Sequence, residues 1–262
     1  MEAQVQNKSA YAYTGGKPFD AKLPTVMFIH GGECDHSVWT LPARYFAHHG
    51  FGVLAVDLPG HGRTDGSPLF SIEDMSDWIV MLLDAIGVAK AALVGHSMGS
   101  LIALDTAGRR HDRVAKIALL GTTFPMRVSS ELLGAAQEDE SRAQNMINAW
   151  SHSAYAYYPN NPGPGAWLHG ANLRLMQRQK PGVLFADFNA CNAYNAGTDR
   201  AKDTTCPALF ILGKRDAMTP VRGGREFAKA IKHAQVVELA DAGHNLMGER
   251  PDEVLDSLRG FL

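Results

Sequence analysis

The sequence predicts an α/β fold: a mostly parallel, doubly wound sheet of about eight strands with an inserted helical cap. Three observations predict it. Short apolar runs suited to buried strands alternate with helical spacing up to residue 121 and again from 205, the pattern of a parallel sheet covered on both faces. Between them, 122–204 carries helical spacing and no strand run. The run Leu93-Val94-Gly95-His96-Ser97-Met98-Gly99-Ser100 reads as strand, tight turn and helix start, with two glycines bracketing a serine. The expected division is a core of 1–121 and 205–262 and a lid of 122–204.

Residues 3–13 read as one or two edge strands. Thr25-Val26-Met27-Phe28-Ile29 is a buried-strand run ending in His30-Gly31-Gly32. Backbone N–H groups just after such a strand can face a developing negative charge, and Gly32 is the candidate donor. A helix over 41–50 with Phe46 inward precedes the strand 51–56. The polar turn Asp57-Leu58-Pro59-Gly60-His61-Gly62-Arg63 follows, and its Asp57, His61 and Arg63 are expected to brace loops. Ser71 N-caps a helix carrying Ile72, Met75, Ile79, Leu82, Leu83 and Ile86, with Gly87 as its C′ residue. The strand 91–95 leads through the serine turn into a helix from Met98 to about Arg109, and a strand covers 116–121.

Within the insert, helices are expected near 129–150, 168–180 and 181–194, with a loop over 157–165. Its many aromatics are expected to form mainly the insert's own core and its seat on the sheet. One or two should shape a substrate pocket, and Tyr155, Trp167 and Phe188 are the candidates. Strand character resumes at 208–213, followed by Lys214-Arg215-Asp216. Thr219 and Pro220 suit the N-cap and first position of a helix. A last strand at 236–239 runs into Asp241-Ala242-Gly243-His244-Asn245, and Pro251 opens a C-terminal helix with Val254, Leu255, Leu258 and Phe261 inward.

Composition excludes several classes. The chain has 262 residues, 45% hydrophobic and 20% charged, with net charge −2 and no basic stripe, so nucleic acid and anionic membrane are poor partners. No apolar run approaches the ~18–20 residues of a membrane span. Met1–Ala10 has neither a basic nor an apolar signal-peptide region. Three scattered cysteines, Cys34, Cys191 and Cys206, suit a reducing cytoplasm better than a disulfide framework. No cofactor or metal is called for; the expected partner is a small-molecule acyl substrate.

The chemistry centres on Ser97. A serine on a sharp strand-to-helix turn needs neighbours without side chains, because backbones approach closely there. The turn sets Ser97 at a helix N-terminus, where the Met98 N–H is free to donate to an oxyanion. Serine also needs a base, and the base needs an orienting group. His96 projects differently from its neighbour Ser97, and His30 more naturally braces its loop. His48, His49, His111 and His233 have surface-like neighbours, and His152 and His169 belong to the insert. His244 follows the last strand and Asp216 the penultimate one, so both reach the carboxyl edge of the sheet where Ser97 lies.

The motifs His30-Gly31-Gly32, Asp57-Leu58-Pro59-Gly60-His61-Gly62, Gly95-His96-Ser97-Met98-Gly99, Gly213-Lys214-Arg215-Asp216 and Gly243-His244 together resemble those of α/β-hydrolase-fold enzymes of the small, capped esterase/lipase-like kind. The resemblance covers about 23–121 and 205–262; the insert fits in position and character. It implies a Ser97–His244–Asp216 catalytic triad, an oxyanion hole at Gly32 and Met98, and two-step acyl transfer on a carboxylic ester, thioester or lactone. C–C hydrolysis of dienoic ketones and haloperoxidase-like perhydrolysis use the same apparatus. The loop Gly32-Glu33-Cys34-Asp35 departs from the Ser-Gly-x-Gly-like residues of the C–C hydrolases. Serine at the turn departs from the carboxylate nucleophile of dehalogenases and epoxide hydrolases. A non-catalytic ligand receptor on the same fold is the alternative of another class.

Overall fold

The computed structural model describes residues 1–157 and 166–262; most of the loop expected over 157–165 lies outside the described residues. Eight strands form one sheet: β1 (Glu2–Val5), β2 (Lys8–Tyr13), β3 (Thr25–Ile29), β4 (Gly52–Val56), β5 (Ala91–His96), β6 (Val114–Leu120), β7 (Ala208–Gly213) and β8 (Gln235–Leu239). Their order is β1-β2-β4-β3-β5-β6-β7-β8. β1–β2 and β2–β4 pair antiparallel and all other neighbours pair parallel.

The core helices are α1 (Thr40–Ala47), α2 (Ile72–Ala85) and α3 (Met98–Arg109). Between β6 and β7 come α4 (Ser130–Glu138), α5 (Glu140–Trp150), α6 (Leu168–Gln177), α7 (Val183–Ala193) and α8 (Gly197–Asp203). The chain closes with α9 (Val221–Ala228), α10 (Leu246–Glu249) and α11 (Pro251–Phe261). Among the described residues no helix is long and apolar enough to cross a membrane.

The central strands are apolar on both faces, and alternate side chains divide cleanly. Met27, Ile29, Leu54, Leu93, Ile117, Leu119, Phe210 and Leu212 pack under α2 and α3. Val26, Phe28, Val53, Ala55, Val94, Ala118, Leu209 and Ile211 pack under α1 and α11. This is the period-two division of a sheet buried twice over.

Several sequence expectations shift. The helix expected over 129–150 breaks at Asp139, which ends α4 and then caps α5 by accepting the Arg142 N–H. A helix absent from the sequence expectation, α8, lies on α3, where Arg200 reaches the buried Asp105. The insert's own core is aliphatic, built from Leu132, Ala135, Ala136, Ala143, Ile147, Met176 and Leu184 with Phe188. Tyr194 instead packs against the core helices, its hydroxyl donating to Asp105 at 3.0 Å. Nor does Thr219 cap α9 with its side chain: Pro220 occupies the N-cap, and no side-chain cap bond forms.

Candidate active site

The serine turn is built by close approach. A Cβ on Gly95 would lie 2.0 Å from the Gly99 carbonyl oxygen, and one on Gly99 would lie 2.3 Å from that of Ile29. Only glycine fits either position. Ser97 itself takes φ 52° and ψ −119°, a sparsely populated conformation for a side-chain-bearing residue. Such a residue costs about 1–3 kcal/mol and persists where surroundings over-determine it. Here the Ser97 N–H donates to the Leu120 carbonyl at 2.9 Å, tying the turn to the end of β6. The Met98 N–H lies in the first turn of α3, where no helical carbonyl receives it.

Asp216 and His244 meet at the same sheet edge. His244 Nδ1–H donates to Asp216 Oδ2 at 2.8 Å. Asp216 Oδ1 accepts the Met218 and Thr219 N–H groups at 2.8 Å each, and Oδ2 also accepts the Thr219 hydroxyl at 2.6 Å. Burial opposes ionisation of Asp216, but the charge and hydrogen bond of His244, with those from Thr219, outweigh it and hold the carboxyl below its ordinary range. His96, set aside as a base, holds the His244 loop: its Nε2–H donates to the His244 carbonyl at 2.8 Å. Burial, with the nearby His244 adding, pushes His96 down to about 3, so it stays neutral.

Gly32, Ser97, Met98, Phe188, Thr219 and His244 all line one cavity of about 360 Å³. The rest of its wall is largely apolar, including Met126, Val128, Leu132, Trp150 and Met218, with Arg127 also lining it. Of the three aromatic candidates, Phe188 is in the wall. Trp167 is 77% exposed and outside it. Tyr155 is also outside, beneath the Arg250 guanidinium. Wall position depends on how α4, α5 and α7 seat, which residue order does not encode.

The remaining motif residues brace loops. Asp57 accepts from the His36 and Arg63 N–H groups, while His30 accepts the Leu58 N–H at Nε2. Burial first, then neighbouring acids, pushes the Cys34 thiol up, and burial does the same for Cys191 in the cavity wall. Neither is a ready thiolate.

Sequence reasoning missed Thr219. Its hydroxyl donates to Asp216 Oδ2 and lies 3.3 Å from His244 Nδ1, sharing the imidazole proton. The available signal was an Asp three residues before a Thr, the spacing of a local Asp-centred turn. Thr219→Val is expected to lower kcat/KM about tenfold or more, as one hydrogen bond to a carboxylate of roughly 1.5 kcal/mol or above implies. Thr219→Ser should retain activity. Steady-state ester kinetics on both variants check this; equal rates for Val and wild type would limit Thr219 to folding.

The model of the alpha/beta hydrolase family matches residues 26–257. The pimeloyl-[acyl-carrier protein] methyl ester esterase of Chromobacterium violaceum is 30% identical over 84% of this chain and 87% of its own. A bifunctional esterase/perhydrolase of Acinetobacter calcoaceticus is 25% identical over 95% of each chain. Among solved structures, the enol-lactonase of Burkholderia xenovorans superposes with TM-score 0.86 at 23% identity, covering 100% of this chain and 99% of that one.

Proposed function

We propose, from the premise that this chain belongs to the alpha/beta hydrolase family, that it is a serine hydrolase cleaving a small carboxylic ester, thioester or lactone through an acyl-enzyme on Ser97. The observation that carries this reading is that His244, hydrogen-bonded to Asp216 at 2.8 Å, lines the same cavity as Ser97 on its strained turn. His244 takes the Ser97 hydroxyl proton as Oγ attacks the carbonyl carbon. The Gly32 and Met98 N–H groups stabilise the oxyanion, an effect of roughly 3–4 kcal/mol per donor in well-studied enzymes. Asp216 holds the tautomer and stabilises the imidazolium. His244 then protonates the leaving alcohol or thiol, and in the second step it activates water against the acyl-enzyme.

In this reading, 122–204 is the cap that shapes the pocket, α4, α5 and α7 lining it and α8 seating the cap on α3. The largely apolar wall favours an apolar acyl or alcohol group of modest size over a bulky polar one. The relatives named above include a methyl ester esterase and an esterase/perhydrolase, which supports an ester as substrate.

The test is labelling with a fluorophosphonate, then turnover of p-nitrophenyl acetate, a thioester and a lactone. Stoichiometric modification of Ser97, turnover of at least one substrate, and loss of both in Ser97→Ala are expected. Labelling without turnover of any substrate would favour a ligand receptor, and full activity in Ser97→Ala would overturn the assignment.

A further inference from the structure

The loop carrying Gly32 continues into Glu33, and the helical insert grips that residue twice. The Glu33 N–H donates to Asp187 Oδ2 on α7 at 2.8 Å. Its side-chain Oε1 accepts from Gln144 Nε2 on α5 at 2.6 Å. Asp187 Oδ2 is also bonded by His61 Nε2 at 2.8 Å, from the turn after β4. All three titratable groups are buried, Glu33 and His61 at 1% exposure and Asp187 at 0%. Glu33 has φ 52°, a left-handed conformation that a side-chain-bearing residue does not hold without help. α7 also touches Gly32 directly: a Cβ there would lie 2.9 Å from Phe188 Cε1 and 3.5 Å from Asp187 Cβ.

Stability alone does not account for this cluster. Asp187 Oδ1 and Glu33 Oε2 are buried without a hydrogen-bond partner, and buried ion pairs give no net advantage over apolar packing of similar volume. What a charged acceptor supplies is direction: a charge-assisted bond to a backbone N–H fixes one peptide orientation. The protonation pattern suits that task. Burial lowers the proton affinity of His61, but the charge and hydrogen bond of Asp187 outweigh it and hold His61 above its ordinary range. Burial pushes Glu33 up to about 8, with Glu140 and Asp187 adding and the Gln144 bond opposing. Both His61 ring nitrogens face acceptors, the Pro59 carbonyl at 3.1 Å and Asp187 Oδ2 at 2.8 Å, the donor pattern of an imidazolium, and near neutral pH Glu33 is mostly the neutral acid.

We propose that Asp187 is a positioning residue for the oxyanion hole: by holding the Glu33 N–H it fixes the Gly32–Glu33 peptide and so restrains the adjoining peptide that carries the Gly32 N–H, so that seating of the helical insert sets that donor. The proposal rests on the serine-hydrolase reading. It assigns a residue of the insert to the chemistry rather than to pocket shape. His61, from the core, supplies the cation that keeps the Asp187 oxygen a strong acceptor.

Asp187→Asn in the full chain tests it, with rates normalised to the fluorophosphonate-reactive fraction so that misfolded protein drops out. For p-nitrophenyl butyrate, kcat per labelled site should fall about tenfold or more while KM moves less than about twofold. Inhibition by n-butylboronic acid, which forms a tetrahedral adduct on the serine, should weaken by the same factor as kcat. His61→Gln, which keeps a donor and removes the cation, should show the same split with a smaller loss. It also carries the test should Asp187→Asn not fold. Unaltered kcat per labelled site in the folded variant, or equal loss in kcat and KM without weaker boronate binding, overturns the proposal. Wild-type protein that turns over no ester, thioester or lactone would instead sink the parent reading.

Discussion

Asp216→Asn is expected to lower kcat by about 10³–10⁴ while leaving the fold and KM near wild type. The geometry dictates why. Asp216 Oδ1 accepts two backbone N–H groups, from Met218 and Thr219, and backbone N–H groups can only donate. In the asparagine variant the carbonyl oxygen must take that place, which turns the amide NH₂ towards His244. His244 Nδ1 now faces a donor where it had faced Oδ2 at 2.8 Å. It must present its lone pair, so the proton moves to Nε2, the nitrogen that has to accept from Ser97. The base is still positioned but carries its proton on the wrong side. Pre-steady-state rates with p-nitrophenyl acetate check this, together with a crystal structure or thermal melt of the variant. A loss below about tenfold would show that Asp216 does not orient the base, and the acid of the triad would have to be sought elsewhere.

What was legible in the sequence follows from how each feature is encoded. β3, β5 and β7 read as continuous apolar runs because both faces of each strand are buried. The polar loops after them read as a site because parallel strands deliver their ends to one edge. Position alone therefore singles out Asp216 and His244 as candidates, more than a hundred residues from Ser97. Features that depend on long-range seating were not legible. α8 is held by Arg200 reaching Asp105, ninety-five residues away, and by the Gly197 backbone lying against Phe124. Phe188 and Trp167 look alike as insert aromatics, yet α7 turns one into the cavity wall while the other is exposed. Thr219 fits a helix-start pattern locally, and the carboxylate three residues earlier outcompetes that role for its hydroxyl. The Asp187–Glu33 contact spans 154 residues, a separation at which no local pattern speaks.

Gly99→Ala is expected to damage stability and activity together. The new methyl carbon would stand 2.3 Å from the Ile29 carbonyl oxygen and 2.6 Å from that of His30, both backbone atoms at the end of β3. No side chain can swing aside to make room, so the start of α3 must back away from β3 by roughly an ångström. That motion carries Ser97 and Met98 away from Gly32, which sits on the β3 side of the gap. Overpacking of this kind costs on the order of 3 kcal/mol, a fall in Tm of roughly 6–12 °C for a chain of this size. A misplacement of about 1 Å costs ~10²-fold in rate, so kcat per folded molecule should drop by about that factor. Gly134→Ala is the control. Gly134 lies within α4, and a Cβ there meets nothing within 4 Å. The substitution removes only the helix penalty of glycine and should raise stability by about 0.5–1 kcal/mol. Melting curves and active-site-titrated kinetics on the pair separate the effects. Were Gly99→Ala to melt with wild type and keep its rate, the close packing of α3 on β3 would not be what holds the serine turn against the oxyanion loop.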